Sequence, residues 1–130
     1  MKKAILTKTV NLLDGGCNAC GIIEDENYTL MIDEQTMPLD ELSVNSLITT
    51  IVLKNGYKRE YETDVLDDFI LYKKGDHQVT LKEEYDHLTY FSENTTIETT
   101  DQMIDKKALF EKVNKILTTL FNIEELDFKL

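Results

Sequence analysis

Apolar and polar positions change rhythm along the chain, and the changes mark out its elements. Over residues 3–10, β-forming and polar residues alternate or nearly alternate, which predicts a first strand. Gly15, Gly16, Asn18 and Gly21 then predict a loop. Ile22 with Ile23 and residues 28–32 read as a second and a third strand, separated by the polar run Glu24-Asp25-Glu26-Asn27. Residues 38–41, which begin at the single proline, Pro38, read as a connection.

Residues 47–53 and 57–61 flank Asn55-Gly56, a pair that accepts the positive φ angles of a type I′ turn, so a hairpin is predicted there. With Lys54 opposite Tyr57, both faces of its first arm carry apolar residues, as in a strand covered on both sides. Residues 65–74 fit either a short helix capped by Thr63 or Asp64, or a strand at residues 69–72 paired with 78–82 around Lys74-Gly75-Asp76. The paired strands are the preferred reading. Residues 87–92 and 95–99 continue the β character through threonine, tyrosine and phenylalanine.

The rhythm then becomes helical. Leu109, Val113, Ile116, Leu117 and Leu120 trace one stripe, Thr100 or Asp101 offers a cap, and Glu111 with Lys115 forms an i,i+4 pair, so a helix is predicted over about residues 102–121. Asn122 with Glu125 suggests one further helical turn. Many strands followed by one long helix predict an α+β fold, mainly an antiparallel sheet or partial barrel with the C-terminal helix packed on it. No internal repeat and no Gly/Ser- or Pro-rich linker divides the chain, which predicts one compact domain over residues 1–130.

Composition agrees with that expectation and limits the function classes. With 130 residues, 42% of them hydrophobic and 30% charged, the chain has enough apolar surface to form a core rather than remain disordered. No run approaches the roughly 20 apolar residues that cross a bilayer as a helix. Lys8 and Asn11 interrupt what would be the apolar segment of an export signal, so the N-terminus is read as a strand of a cytoplasmic protein. Two cysteines fit a reducing compartment.

Few motifs carry chemistry. Cys17-Asn18-Ala19-Cys20 has the spacing of a redox pair or half a zinc site. Gly21-Ile22-Ile23 follows it as a strand rather than a helix, and only His77 and His87 could complete a metal site, at an unusual spacing. Cys17 and Cys20 are therefore weak metal candidates, and no cofactor is expected. Each histidine follows an aspartate, but no nucleophile motif accompanies either one. Phosphate-binding glycine loops and a calcium loop are absent. Asp67-Asp68 and Glu83-Glu84 are sequence neighbours, which on a strand point to opposite faces and make no catalytic dyad. The chain is read as non-enzymatic.

Charge carries more information than any motif. The formal net charge is −11, from 25 acidic and 14 basic residues. Residues 21–41 contain seven acids and no lysine or arginine, and residues 60–101 hold twelve acids against Lys73, Lys74 and Lys82. The first thirteen residues are at plus three, whereas residues 102–130 balance five acids with five lysines. The acidity thus belongs to the expected sheet. Such a face repels nucleic acid and attracts basic surfaces, and in character it resembles small phage and plasmid proteins that occupy nucleic-acid sites by mimicry.

The expectation is a small interaction protein that regulates or inhibits a basic partner, with direct nucleic-acid binding less favoured and no membrane association. Glu24, Asp25, Glu26, Asp33 and Glu34 are its leading contact candidates, followed by Asp67, Asp68, Glu83 and Glu84. Tyr28, Tyr61 or Tyr85 would supply desolvated anchors. Two alternatives remain: a thiol or metal protein built on Cys17 and Cys20, and an RNA-binding regulator using Lys2, Lys3, Lys8 and the helix lysines Lys106, Lys107, Lys112 and Lys115.

Overall fold

The computed structural model describes residues 1–14, 22–63 and 68–130. Its elements are β1 (Lys2–Asp14), β2 (Ile22–Ile32), β3 (Gln35–Leu39), α1 (Val44–Lys54), β4 (Lys58–Thr63), β5 (Asp68–Lys74), β6 (His77–Glu84), β7 (His87–Ser92), β8 (Thr95–Thr100), α2 (Lys106–Leu120) and β9 (Leu126–Lys129). They form two sheets, ordered β3-β2-β1-β9 and β4-β5-β6-β7-β8. Every pairing is antiparallel except β1 with β9. Among the described residues the fold is α+β with two helices, and neither sheet closes into a barrel.

The second sheet is a meander whose core face is set by strand alternation. Ile70 and Tyr72 of β5, Val79 and Leu81 of β6, Leu88 and Tyr90 of β7 and Ile97 of β8 are all buried, and their register partners lie on the same face. These residues join Ala4, Leu6, Leu30 and Ile32 of the first sheet and the buried stripes of both helices in one cluster. The paired-strand reading of residues 69–72 with 78–82 holds, as do the strands near 87–92 and 95–99. The stripe Leu109, Val113, Ile116, Leu117 and Leu120 is the buried face of α2.

The hairpin expected at Asn55-Gly56 is overturned, because residues 44–54 are a helix. Val44, Leu47, Ile48, Ile51 and Val52 recur at the i, i+3, i+4, i+7, i+8 spacing of a buried helical stripe, and the same run can be read as a two-sided strand. Asn55-Gly56 is the stop signal of that helix. Gly56, at φ +92°, donates to the Leu53 carbonyl at 3.2 Å, and Tyr57 N donates to the Val52 carbonyl at 3.1 Å, which closes a Schellman motif. The tight turn with two positive φ angles is instead at Asp33 (52°) and Glu34 (66°), between β2 and β3.

Other boundaries also move. Residues 22–32 form one strand rather than two, because β1 continues to Asp14 and pairs along its length. Pro38 lies inside β3 rather than in a connection, and an edge strand tolerates its missing N–H. α2 begins at Lys106, capped by Asp105 rather than by Thr100 or Asp101. Residues 122–125 form no helical turn but lead into β9, which adds to the edge of the first sheet.

Candidate functional site

The N-terminus of α1 sits against the ends of β6, β7 and β8, and the amides of Val44, Asn45 and Ser46 in its first turn are met. Val44 N donates to the Asp101 carbonyl at 3.1 Å, Asn45 N to Asp101 Oδ1 at 2.8 Å, and Ser46 N to Ser43 Oγ at 3.2 Å. Asp101 N donates in turn to the Asp86 carbonyl at 2.8 Å, and Gln102 bridges Asp86 and Glu41. Asn45 Nδ2 reaches Glu83 Oε1 at 3.2 Å, whereas Thr49 Oγ1 contacts the Tyr72 hydroxyl at 2.8 Å. Desolvation pushes the hydroxyls of Tyr72 and Tyr90 upward, most strongly Tyr90, which lies at the centre of the packed face. This lattice joins sheet, helix and loops at one pole of the molecule.

Carboxylates surround that pole. Asp101, Asp86, Glu83 and Glu41 are linked through the bonds just described, and Asp68 lies beside Tyr61, raising the tyrosine's pKa by accepting from its hydroxyl. Two large aromatics stand among them with little packing. Tyr61 on the edge strand β4 is 67% exposed, and Tyr85 at the tip of the β6–β7 turn is 106% exposed with φ +55°. A fully exposed tyrosine held in a left-handed turn contributes nothing to the core, so its ring is available for contact.

The other acidic candidates are placed differently. Glu24 and Asp25 lie on β2 opposite Leu12 and Asn11 in register, and Glu26 pairs with Lys8 at 3.0 Å. Asp33 Oδ2 receives both Lys2 at 3.0 Å and Lys54 at 3.4 Å, and the Lys2 hydrogen bond holds its carboxyl below the ordinary value. Glu34 is exposed at the same turn. Strand pairing therefore folds the basic N-terminal segment onto the first acidic block. In the second block, Asp68 and Glu83 face the pole, Glu84 pairs with Lys82 at 3.5 Å, and Asp67 lies outside the described residues. Glu41, Asp86 and Asp101 are not contact candidates from sequence, where Asp101 reads as a cap for the C-terminal helix, since their convergence depends on long-range packing.

Cys17 and Cys20 also lie outside the described residues. His77 Nε2 donates to the Leu120 carbonyl at 2.6 Å and its ring meets Tyr57 edge-on, which ties β6 to the end of α2. His87 lies 3.8 Å from Glu98. Among the described residues, no group of three or more His, Cys, Asp or Glu could hold a metal, and no helix is long and apolar enough to cross a membrane. Lys106, Lys107 and Lys115 line a cavity of about 600 Å³ between α2 and β9, beside the stacked rings of Phe110 and Phe128.

A two-sheet α+β protein with an acidic, tyrosine-bearing pole is the class these features define. The chain matches, over residues 1–130, the family model described as a domain of unknown function (DUF4809), and it belongs to that family. No curated protein and no solved structure matches it.

Proposed function

We propose that the protein is a non-enzymatic, cytoplasmic interaction module that regulates or inhibits a basic protein partner through the acidic pole around the α1 N-terminus. The observation that carries this reading is Tyr85, wholly exposed at its turn between Glu84 and Asp86. Carboxylates there attract a positively charged surface over a distance comparable to the Debye length, about 8 Å at physiological salt. Tyr85 and Tyr61 then supply aromatic area that is desolvated only when the partner docks.

Asp68 and Glu83 are the contact residues this reading favours, together with Glu41, which Gln102 ties to the same pole; Glu84 contributes less, because Lys82 lies 3.5 Å from it. Glu26 and Asp33 are weaker contributors, because lysines of this chain already neutralise them. A partner that normally holds a phosphate backbone in a basic groove would present the complementary charge.

The test is affinity capture from native host lysate at low and high salt, with bound protein and nucleic acid both identified. A basic protein released by salt supports the proposal. Recovery of RNA bound through the lysines of α2, or of no specific protein, overturns it.

A further inference from the structure

At the pole opposite the acidic one, the ends of both helices and both sheets meet around a second feature. The C-terminal end of α1, the start of β1, the end of β5 and the α2–β9 connection enclose a cavity of about 210 Å³. Its floor is apolar, formed by Ile32, Ile51, Phe121 and Leu126, each at most 4% exposed. Its rim carries three lysines, Lys2, Lys54 and Lys74, with Asn55 and Asn122 between them.

The charge balance at this rim is unusual for so acidic a chain. Asp33 meets both Lys2 and Lys54 through the same oxygen, so one carboxylate serves two ammonium groups. The Lys54 side chain is only 17% exposed, which makes its incomplete neutralisation costly. Lys74 has no carboxylate partner among the described residues; its Nζ lies 5.7 Å from the centre of the Tyr57 ring. The carboxylate Glu124 also lines the cavity; it lies 3.2 Å from the Met1 amino group and also favours the charged form of Lys2, so Lys74 is the rim lysine with the least compensation. Lys54 in the last turn of α1 also offsets the negative end of that helix, a role that needs only one of the three lysines.

We infer that this cavity is a binding site for a small oxyanion, a phosphate or carboxylate group. The anion would take Lys74 and the unshared capacity of Lys2 and Lys54, with the Asn122 amide as a further donor; Asn55 Nδ2 already donates to the Ile51 carbonyl at 2.8 Å, which leaves one N–H of that amide. Such a ligand spans elements of both sheets, so occupancy stabilises the folded chain by mass action.

The experiment is amide NMR titration of the full chain with sodium phosphate, and separately with sodium butyrate, each against sodium chloride at matched ionic strength. The site predicts saturable shifts confined to residues around Asn55, Lys74 and Asn122, with a dissociation constant below about 10 mM for at least one of the two anions. Lys74→Gln, at an exposed position, weakens that binding by about tenfold, whereas Asp33→Asn removes the competing carboxylate and tightens it. The phosphate and butyrate arms show which anion is preferred. Shifts that do not saturate with either anion, that chloride reproduces, or that are unchanged in Lys74→Gln overturn the inference.

Discussion

Asp101, at the end of β8, caps α1 by accepting from the backbone N–H of Asn45 at 2.8 Å across 56 residues of chain. The contact fixes the helix against the second sheet and positions Asn45 to reach Glu83. One long-range cap therefore ties helix and sheet together at the acidic pole.

Removing that cap tests how far α1 depends on it. Asp101→Ala leaves the Asn45 amide without its side-chain acceptor, while Val44 N keeps the backbone carbonyl, and is expected to cost about 1 kcal/mol, read as a lower urea midpoint with an unchanged slope. Asp101→Asn keeps an acceptor and should cost less. Equal stability of the alanine variant and the parent would show that the cap has no energetic role.

Asn114 of α2 does for β9 what an adjoining strand would do. Its Nδ2 donates to the Leu126 carbonyl and its Oδ1 accepts from Leu126 N, both at 2.9 Å. Asn114→Ala leaves both groups of a buried residue unmet and is expected to destabilise by about 1–3 kcal/mol, with faster hydrogen exchange at the Leu126 amide. Exchange that is unchanged at Leu126 would contradict this role.

Tyr90 predicts the alkaline limit of stability. Its native pKa is raised well above 10.0 by burial, whereas the unfolded tyrosine ionises near that ordinary value. The resulting stability is fully present below pH 10.0 and is lost as pH rises from there towards the native pKa. Tyrosinate absorbance from Tyr90 should appear together with unfolding rather than before it. Tyr90→Phe should flatten the fall in stability above that pH.

Tyr85 separates binding from folding. Because its side chain packs on nothing, Tyr85→Ala should change stability by less than about 0.5 kcal/mol while weakening partner capture by about tenfold. Capture that survives the substitution unchanged removes Tyr85 as an anchor.

The sequence made some of these features legible and concealed others for identifiable reasons. The α2 stripe and the β6–β8 strands are readable because each obeys one period and has local turn residues, whereas β5 also fits a short helix and is favoured as a strand only through its pairing around Lys74-Gly75-Asp76. Residues 44–56 are not readable, since Val44, Leu47, Ile48, Ile51 and Val52 suit a helical stripe while their neighbours suit a two-sided strand, and Asn-Gly ends a helix as readily as it turns a hairpin. The deciding partner, Asp101, is distant in sequence. Charge behaved similarly: the acidic blocks were plain, but only strand register brings Lys8 to Glu26 and Lys2 to Asp33. The pairing of Glu26 and Asp33 with lysines and the convergence of the second block are consequences of strand register, which composition does not encode.

The central claim is most directly tested by measuring the affinity of the captured basic partner across a salt series. The comparison is between the parent chain, Asp68→Asn/Glu83→Gln/Glu84→Gln, and Glu26→Gln. The triple variant should bind at least about tenfold more weakly at low salt and show a shallower salt dependence, while Glu26→Gln stays close to the parent. Equal affinity and equal salt dependence in the triple variant and the parent would contradict the acidic pole as the docking surface.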